Sequence, residues 1–331
     1  MRITFEEMQA QLVRVLRNYS FSEQKAQLCA KLFAENSLDG VHSHGLNRFP
    51  TFIQYIQKGY VKVEAEATLE ESFGAWERWN GNLGPGNLNA YSSMNRAIEL
   101  AKTHGMSCVA LSNTNHWMRG GTYGWQAAEA NCISINFTNT IPNMPPWGGT
   151  DNRIGNNPLV IAVPRKGGHL VLDTAMSLYS YGKMDVYKRK NQPLPFEGGF
   201  DSNGNLTKDA GAILEAKRPI PIGYWKGSGL SIMLDMLAAL LSKGNAVKNI
   251  GDLEAEYASS QVFICFDAER ADLPFIEQVT NELVSYIKSS APVEPDEAIS
   301  YPGERTLLTR QENRNKGIPV DEEIWNQVLA L

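Results

Sequence analysis

Surplus positive charge is the first thing this chain lacks. Its 331 residues carry 31 Lys and Arg against 36 Asp and Glu, a formal net charge of −5. Without a basic excess it is a poor match for phosphate backbones or anionic lipid, so neither nucleic acid nor a membrane surface is expected as a partner. The densest basic run, Tyr187–Lys190, is short enough for a solvated loop. Cysteine is scarce as well. Cys29, Cys108, Cys132 and Cys265 make no Cys-x-x-Cys pair, and three lie in apolar runs. Buried free thiols in a reducing cytoplasm account for that pattern. The longest apolar run, Leu230–Leu241, is too short for a membrane span and contains Asp235. The N-terminus brings acids early and apolar residues at helical spacing, unlike a secretory signal. A soluble cytoplasmic protein is expected.

Several catalytic and nucleotide-binding signatures are missing too. No Gly-x-Ser-x-Gly elbow is present, which sets aside Ser-His-Asp hydrolysis of that type. No Gly-x-Gly-x-x-Gly follows a strand, and Gly81–Gly86 has its glycines in the wrong order. A dinucleotide, if bound, is therefore not held by the Rossmann turn. Gly223–Gly229 fails the Walker spacing, though Lys226 and backbone amides there leave a phosphate contact open. Asp201–Asp209 begins like a calcium loop, but its glycine is misplaced and no Glu closes it.

What is present is a full globular core: 43% of residues are hydrophobic and 20% charged, and the length allows about two domains. Thr4 and Glu7 fit a capping box, with Phe5, Met8, Leu12, Val15 and Leu16 on one helical face. A second helix starts near Ser22 and stops between Asn36 and Gly40. The middle alternates. A helix ends at Gly105, a strand covers Met106–Ser112, a helix covers Gly121–Asn131, and a strand covers Cys132–Thr138. Two more strands flank a hairpin turn at Lys166–Gly168. Residues Tyr187–Gly223 read as one long irregular stretch. Gly227–Gly244 reads as an apolar, deeply buried helix, and Gln261–Asp267 as a further strand. An amphipathic helix over Leu273–Ser290 and a short closing helix that packs back on the N-terminal helices complete the chain.

The corner Val41-His-Ser-His-Gly-Leu-Asn-Arg-Phe49 holds two of the five histidines. Three readings stay open. His42 and His44 could hold a metal with His116 or Asp173 as third ligand, in a hydrolase or lyase. They could simply be polar residues between two helices. Or His44 is a general acid beside Arg48, whose two-pronged guanidinium grips a carboxylate. A proton donor next to a carboxylate anchor is what reduction of a 2-keto acid requires. Downstream, Asn113–Glu129 places Asn115, His116 and Arg119 ahead of a glycine-flanked helix start, where free N–H groups attract an anion. Trp117, Tyr123 and Trp125 there are either a ligand wall or core.

The words SHGLNRF, NHWMRGGTYGWQAAE, MPPWGG, NPL, GYWKGSGLSI and PGER run in order from Ser43 to Arg305. Together they resemble the malate/L-lactate dehydrogenase family of NAD(P)-dependent 2-keto acid reductases, which also holds ureidoglycolate and sulfolactate dehydrogenases. The resemblance implies a non-Rossmann α/β fold like that of L-sulfolactate dehydrogenase, with a mixed, largely antiparallel sheet flanked by helices. It places a helical domain at residues 1–70 with 290–331, and a cofactor- and substrate-binding region at 71–289 with room for two subdomains. It implies a homodimer, a keto acid substrate, NADH with NADPH as the alternative cofactor, and no metal. Carried over by position, His44 is the proton donor and Arg48 the carboxylate anchor, with Asp185 orienting His44 and His116 lining the pocket. Leu170, Val171, Leu172, Asp173, Thr174 and Ala175, with Trp225, Lys226, Gly303, Glu304 and Arg305, would hold the cofactor.

Overall fold

The computed structural model describes residues 1–294 and 297–331. Pro295 and Asp296, inside the C-terminal segment expected in the helical domain, lie outside the described residues. The chain opens with β1 (Arg2–Ile3), α1 (Phe5–Asn18), α2 (Glu23–Leu38), two 3-10 turns (His42–His44 and Leu46–Arg48) and α3 (Phe49–Gln57). The capping box at α1 forms as its sequence predicts. Thr4 Oγ1 accepts from Glu7 N at 3.1 Å, and Glu7 Oε2 accepts from Thr4 N at 2.8 Å. Met8, Leu12, Val15 and Leu16 are fully buried along its inner face.

A hairpin of β2 (Thr68–Phe73) and β3 (Trp76–Asn80) follows, then α4 (Gly86–His104), β4 (Met106–Thr114), α5 (Gly121–Glu129), β5 (Cys132–Thr138), β6 (Leu159–Val163) and β7 (Leu170–Thr174). Next come α6 (Tyr181–Arg189), β8 (Gly199–Phe200), β9 (Leu206–Thr207), α7 (Ala210–Ala216), α8 (Trp225–Ser242) and α9 (Val247–Gly251). The chain closes with β10 (Ser259–Asp267), α10 (Leu273–Lys288), α11 (Glu304–Lys316), β11 (Ile318–Pro319) and α12 (Glu322–Ala330).

Among the described residues one sheet of seven strands runs in the order β2-β3-β4-β10-β5-β6-β7. Every neighbouring pair is antiparallel except β3–β4. This is the mixed, non-Rossmann α/β sheet expected. The two ends of the chain meet. β1 pairs with β11 through Ile3 and Ile318, and Trp325 and Val328 of α12 enter the core built from Met8, Leu12 and Phe33.

Two expectations need correction. Tyr187–Gly223 is not irregular: it carries the end of α6, the β8–β9 hairpin and α7 around a small core of Tyr179, Met184, Leu194, Ala210 and Ile213. These elements are too short for hydrophobic periodicity to announce them. α8 is not deeply buried all round. Its inner face is Gly227, Ser231, Leu234, Asp235 and Ala238, whereas Met233, Met236 and Leu240 are 53%, 51% and 71% exposed. Small residues let the helix lie close on the sheet, and Asp235 is satisfied by Asn139 Nδ2 at 2.9 Å and Val247 N at 2.8 Å.

The C-cap of α2 ties three elements together. The Asp39 carboxylate accepts from Arg119, just ahead of α5, and from Arg310 of α11 at 2.6 and 2.8 Å. Arg310 also lies over the Trp125 ring, 4.5 Å from its centroid. The Asp39 and Arg119 side chains are only 4% and 5% exposed, so removing one partner strands a buried charge. Asp39→Ala is therefore expected to lower the unfolding free energy by ~3–5 kcal/mol. Asp252→Ala removes an exposed pair with Lys248 and should stay within the ~0–1 kcal/mol of surface pairs. Urea denaturation of both variants checks the contrast.

Candidate active site

The corner between α2 and α3 is built backbone first. Asn36 Nδ2 donates to the His44 carbonyl at 2.9 Å, and Leu46 N donates to Ser37 Oγ at 2.8 Å. Gly45 has no side chain for a physical reason: a Cβ there would sit 2.2 Å from Ser37 Oγ and 3.0 Å from the Phe33 carbonyl. Thr122 of α5 donates to Asn36 Oδ1 at 2.7 Å. The histidine corner and the start of α5 are thus fixed relative to each other.

On this frame His44 and His116 stack, with ring centroids 5.7 Å apart and planes at 25°. Ser43 Oγ lies 2.9 Å from His44 Nδ1. His116 Nδ1 accepts from Met118 N at 2.9 Å, which makes that nitrogen the unprotonated one. The neutral ring therefore carries its proton on Nε2 and is a donor there. Burial pushes His116 well below the ordinary histidine range, and the charges of Arg48 and His44 push it the same way. His44 is also lowered, first by burial and then by Arg48 and Arg119, while Asp173 pulls it back up.

Arg48 completes the cluster. Its Nη2 lies 3.8 Å from Glu256 Oε2, and among the described residues its guanidinium makes no hydrogen bond. Its donors remain free for an incoming carboxylate. Glu256, on the loop before β10, had no signal in the sequence, because nothing local marks an acid so distant in the chain as facing Arg48. Asp185, expected beside His44, is instead paired with Arg189 one turn along α6 at 2.9 Å. The carboxylate whose charge reaches His44 is Asp173. Asp173 Oδ2 accepts from Gly121 N at 2.8 Å and lies 3.8 Å from Arg119 Nε. The anion at the start of α5 is therefore the protein's own.

The remaining expected residues lie on β7, at the start of α8 and at the start of α11. Leu170–Thr174 form β7, an edge strand, and Val171 N donates to the Pro302 carbonyl at 2.9 Å. Gly303 must be glycine: its φ is +98°, and a Cβ would meet the His169 carbonyl at 2.9 Å. Glu304 pairs with Lys288, and Arg305 is exposed. Trp225 and Lys226 open α8, exposed, with Lys226 Nζ 5.8 Å from the Trp225 ring centroid. Trp117, Tyr123 and Trp125 are core, buried around Phe263 and the sheet. A separate cavity of about 310 Å³ is lined by Lys25, Leu28, Glu66, Trp79, Asn89 and Arg96 and shares no residue with the histidine cluster. Among the described residues no three His, Cys, Asp or Glu side chains gather as metal ligands, so the set His42, His44 and His116 is not assembled for that role.

The malate/L-lactate dehydrogenase family pattern matches residues 3–329. The chain belongs to the malate/L-lactate dehydrogenase family. Members of this family are oxidoreductases acting on a 2-hydroxy or 2-keto acid, and this chain is one. It is 44% identical, across all of both chains, to the 2,3-diketo-L-gulonate reductase of Escherichia coli K12. Its fold superposes on sulfolactate dehydrogenase from Methanocaldococcus jannaschii with a TM-score of 0.88 at 29% identity, covering 99% of this chain and 95% of the other. Malate dehydrogenase from Pyrococcus horikoshii OT3 gives 0.89 at 27% identity, covering 100% and 95%.

The two histidines of this cluster differ in a way that can be measured. Nitrogen-15 NMR should show His116 as the neutral Nε2–H tautomer across roughly pH 5.5–7.5, where an ordinary histidine titrates. A His116 midpoint near 6.5 would contradict the burial and the Met118 hydrogen bond.

Proposed function

We propose that this chain reduces 2,3-diketo-L-gulonate to 3-dehydro-L-gulonate, using NADH or alternatively NADPH. The observation that carries this is the convergence of His44, His116 and Arg48, in a chain alike over its full length to a reductase of that substrate. Arg48 holds the substrate carboxylate with its uncommitted donors and so fixes the face of the adjacent carbonyl. His116 is neutral and points an Nε2–H donor, able to polarise the carbonyl oxygen without adding charge. His44 delivers the proton to that oxygen as negative charge develops there.

The residues around β7 fit a reduced nicotinamide dinucleotide. The outer edge of β7 is bonded at Val171 to Pro302, and strand alternation turns the backbone of Asp173 to the same side. Trp225 is 65% and Tyr224 47% exposed, offering flat apolar faces beside the cation of Lys226. Ser177 Oγ is buried with no partner among the described residues. Leu170–Ala175, Trp225, Lys226 and Gly303–Arg305 would hold the group, which supplies the hydride when bound. We also assign Asp185, on the neighbouring α6, to the rim of this site rather than to its proton path. The exposed apolar face of α8 supports a homodimer, since a patch of this kind marks an interface. Four free cysteines suit a reducing cytoplasm.

The proton path has a definite pH signature. In the free enzyme burial and two arginines hold His44 below the ordinary histidine value. A bound carboxylate offsets Arg48 and lets His44 take up its proton. Reduction needs protonated His44, so kcat/KM falls as pH rises, with a midpoint below about 6.5. The kcat limb lies at higher pH, because the bound anion favours the imidazolium. Following loss of nicotinamide absorbance with 2,3-diketo-L-gulonate, His44→Ala should lower kcat by ~10²–10⁴-fold. Arg48→Lys should raise KM and not restore wild-type binding, because a lysine cannot fork onto a carboxylate. Near wild-type turnover by His44→Ala would refute the assignment.

A further inference from the structure

Glu256 stands opposite the substrate anchor with no role in the proton path. Its carboxylate is 17% exposed and 3.8 Å from Arg48 Nη2. Among the described residues neither it nor the Arg48 guanidinium makes a side-chain hydrogen bond, and Arg48 has no other ion-pair partner. The loop that carries it is braced. Tyr257 stacks flat on Tyr60, with centroids 4.9 Å apart and planes at 6°, and Tyr60 Oη donates to Glu254 Oε2 at 3.0 Å. A braced, half-buried acid against the anchoring arginine is costly unless it does something for the ligand.

The charges facing the site settle what that is. Of the three arginines around the site, Arg48 alone makes no hydrogen bond to a carboxylate among the described residues. Arg119 is taken up by Asp39 and Asp173, and Arg310 by Asp39. His44 and His116 lean to their neutral forms. Glu256 thus offsets Arg48 before any ligand arrives. One carboxylate can share the guanidinium from its open side. A second carboxylate on the same ligand finds the Glu256 carboxylate beside the one arginine that is not already hydrogen-bonded to an acid. A hydroxyl finds a carboxylate with unused lone pairs.

We propose that Glu256 sets substrate class at this site: it favours 2-keto acids with one carboxylate and a hydroxylated, uncharged tail, and it rejects 2-keto dicarboxylates. This rests on the reductase reading above and deepens it. Burial raises the Glu256 carboxyl, and the Arg48 guanidinium beside it opposes that rise.

The test compares kcat/KM for 2,3-diketo-L-gulonate and for oxaloacetate in the wild type, Glu256→Gln and Glu256→Asp, with the nicotinamide cofactor the wild type uses. The wild type should favour the monocarboxylate by about tenfold or more, the effect of one like charge at this range. Glu256→Gln should shift that ratio toward oxaloacetate by about tenfold, 1.4 kcal/mol, through a lower KM for the dicarboxylate. Glu256→Asp, which keeps the charge, should retain the wild-type preference. A Glu256→Gln ratio within twofold of wild type overturns the inference. So does a wild type that handles both acids equally well, a result that needs no variant to fold. A wild type that reduces neither acid overturns the reductase reading and this inference with it, whereas activity with an unmoved ratio overturns the inference alone.

Discussion

The Asp39 carboxylate, closed off from water between Arg119 and Arg310, is the contact on which the site's geometry hangs. It stops α2, and the chain then turns directly into the His44 corner. It fixes Arg119 at the head of α5, which in turn sets Asp173 against the first amide of that helix. Asp173 then supplies the one opposing charge that raises His44. A buried charge network of this kind contributes little net stability compared with apolar packing, but it tolerates few alternative arrangements. Its use here is positional: three helices distant in sequence must agree before the imidazole meets the right field.

That field acts differently on two histidines side by side. Both are partly buried and both feel Arg48. His116 is locked as a neutral donor by a backbone amide on its other nitrogen, whereas His44 has a serine hydroxyl and an acid in reach. Environments that push two titratable groups apart separate the residue that only polarises from the one that moves a proton. In the proposed reaction the substrate anion would itself shape this field, because it would offset one of the two arginines that hold His44 down.

The legible parts of the chain were those with local causes. Thr4 with Glu7, Gly105, and the Gly167–Gly168 turn each announced an element through capping or turn chemistry, and each element is there. His44 and Arg48 were legible as a pair because four residues separate them and their chemistries complement each other. What escaped depends on distance in sequence. Glu256 reaches the site from the loop before β10, and no local pattern marks it as facing an arginine. Asp185 shows another local cause: an acid one turn ahead of an arginine on the same helix pairs with it, here Arg189. The strands of β2 and β3 escaped because their burial is shallow and their apolar alternation weak.

α8 shows how composition without context can mislead. An apolar helix reads as a buried one, yet here the small and polar residues Gly227, Ser231, Asp235 and Ala238 turn inward while Met233, Met236 and Leu240 face out. The sheet beneath is satisfied by close backbone approach and by the Asp235–Asn139 bond, so it needs no bulky side chains. The bulk is free for a second surface. Trp225 and Tyr224 at the head of the same helix are exposed as well.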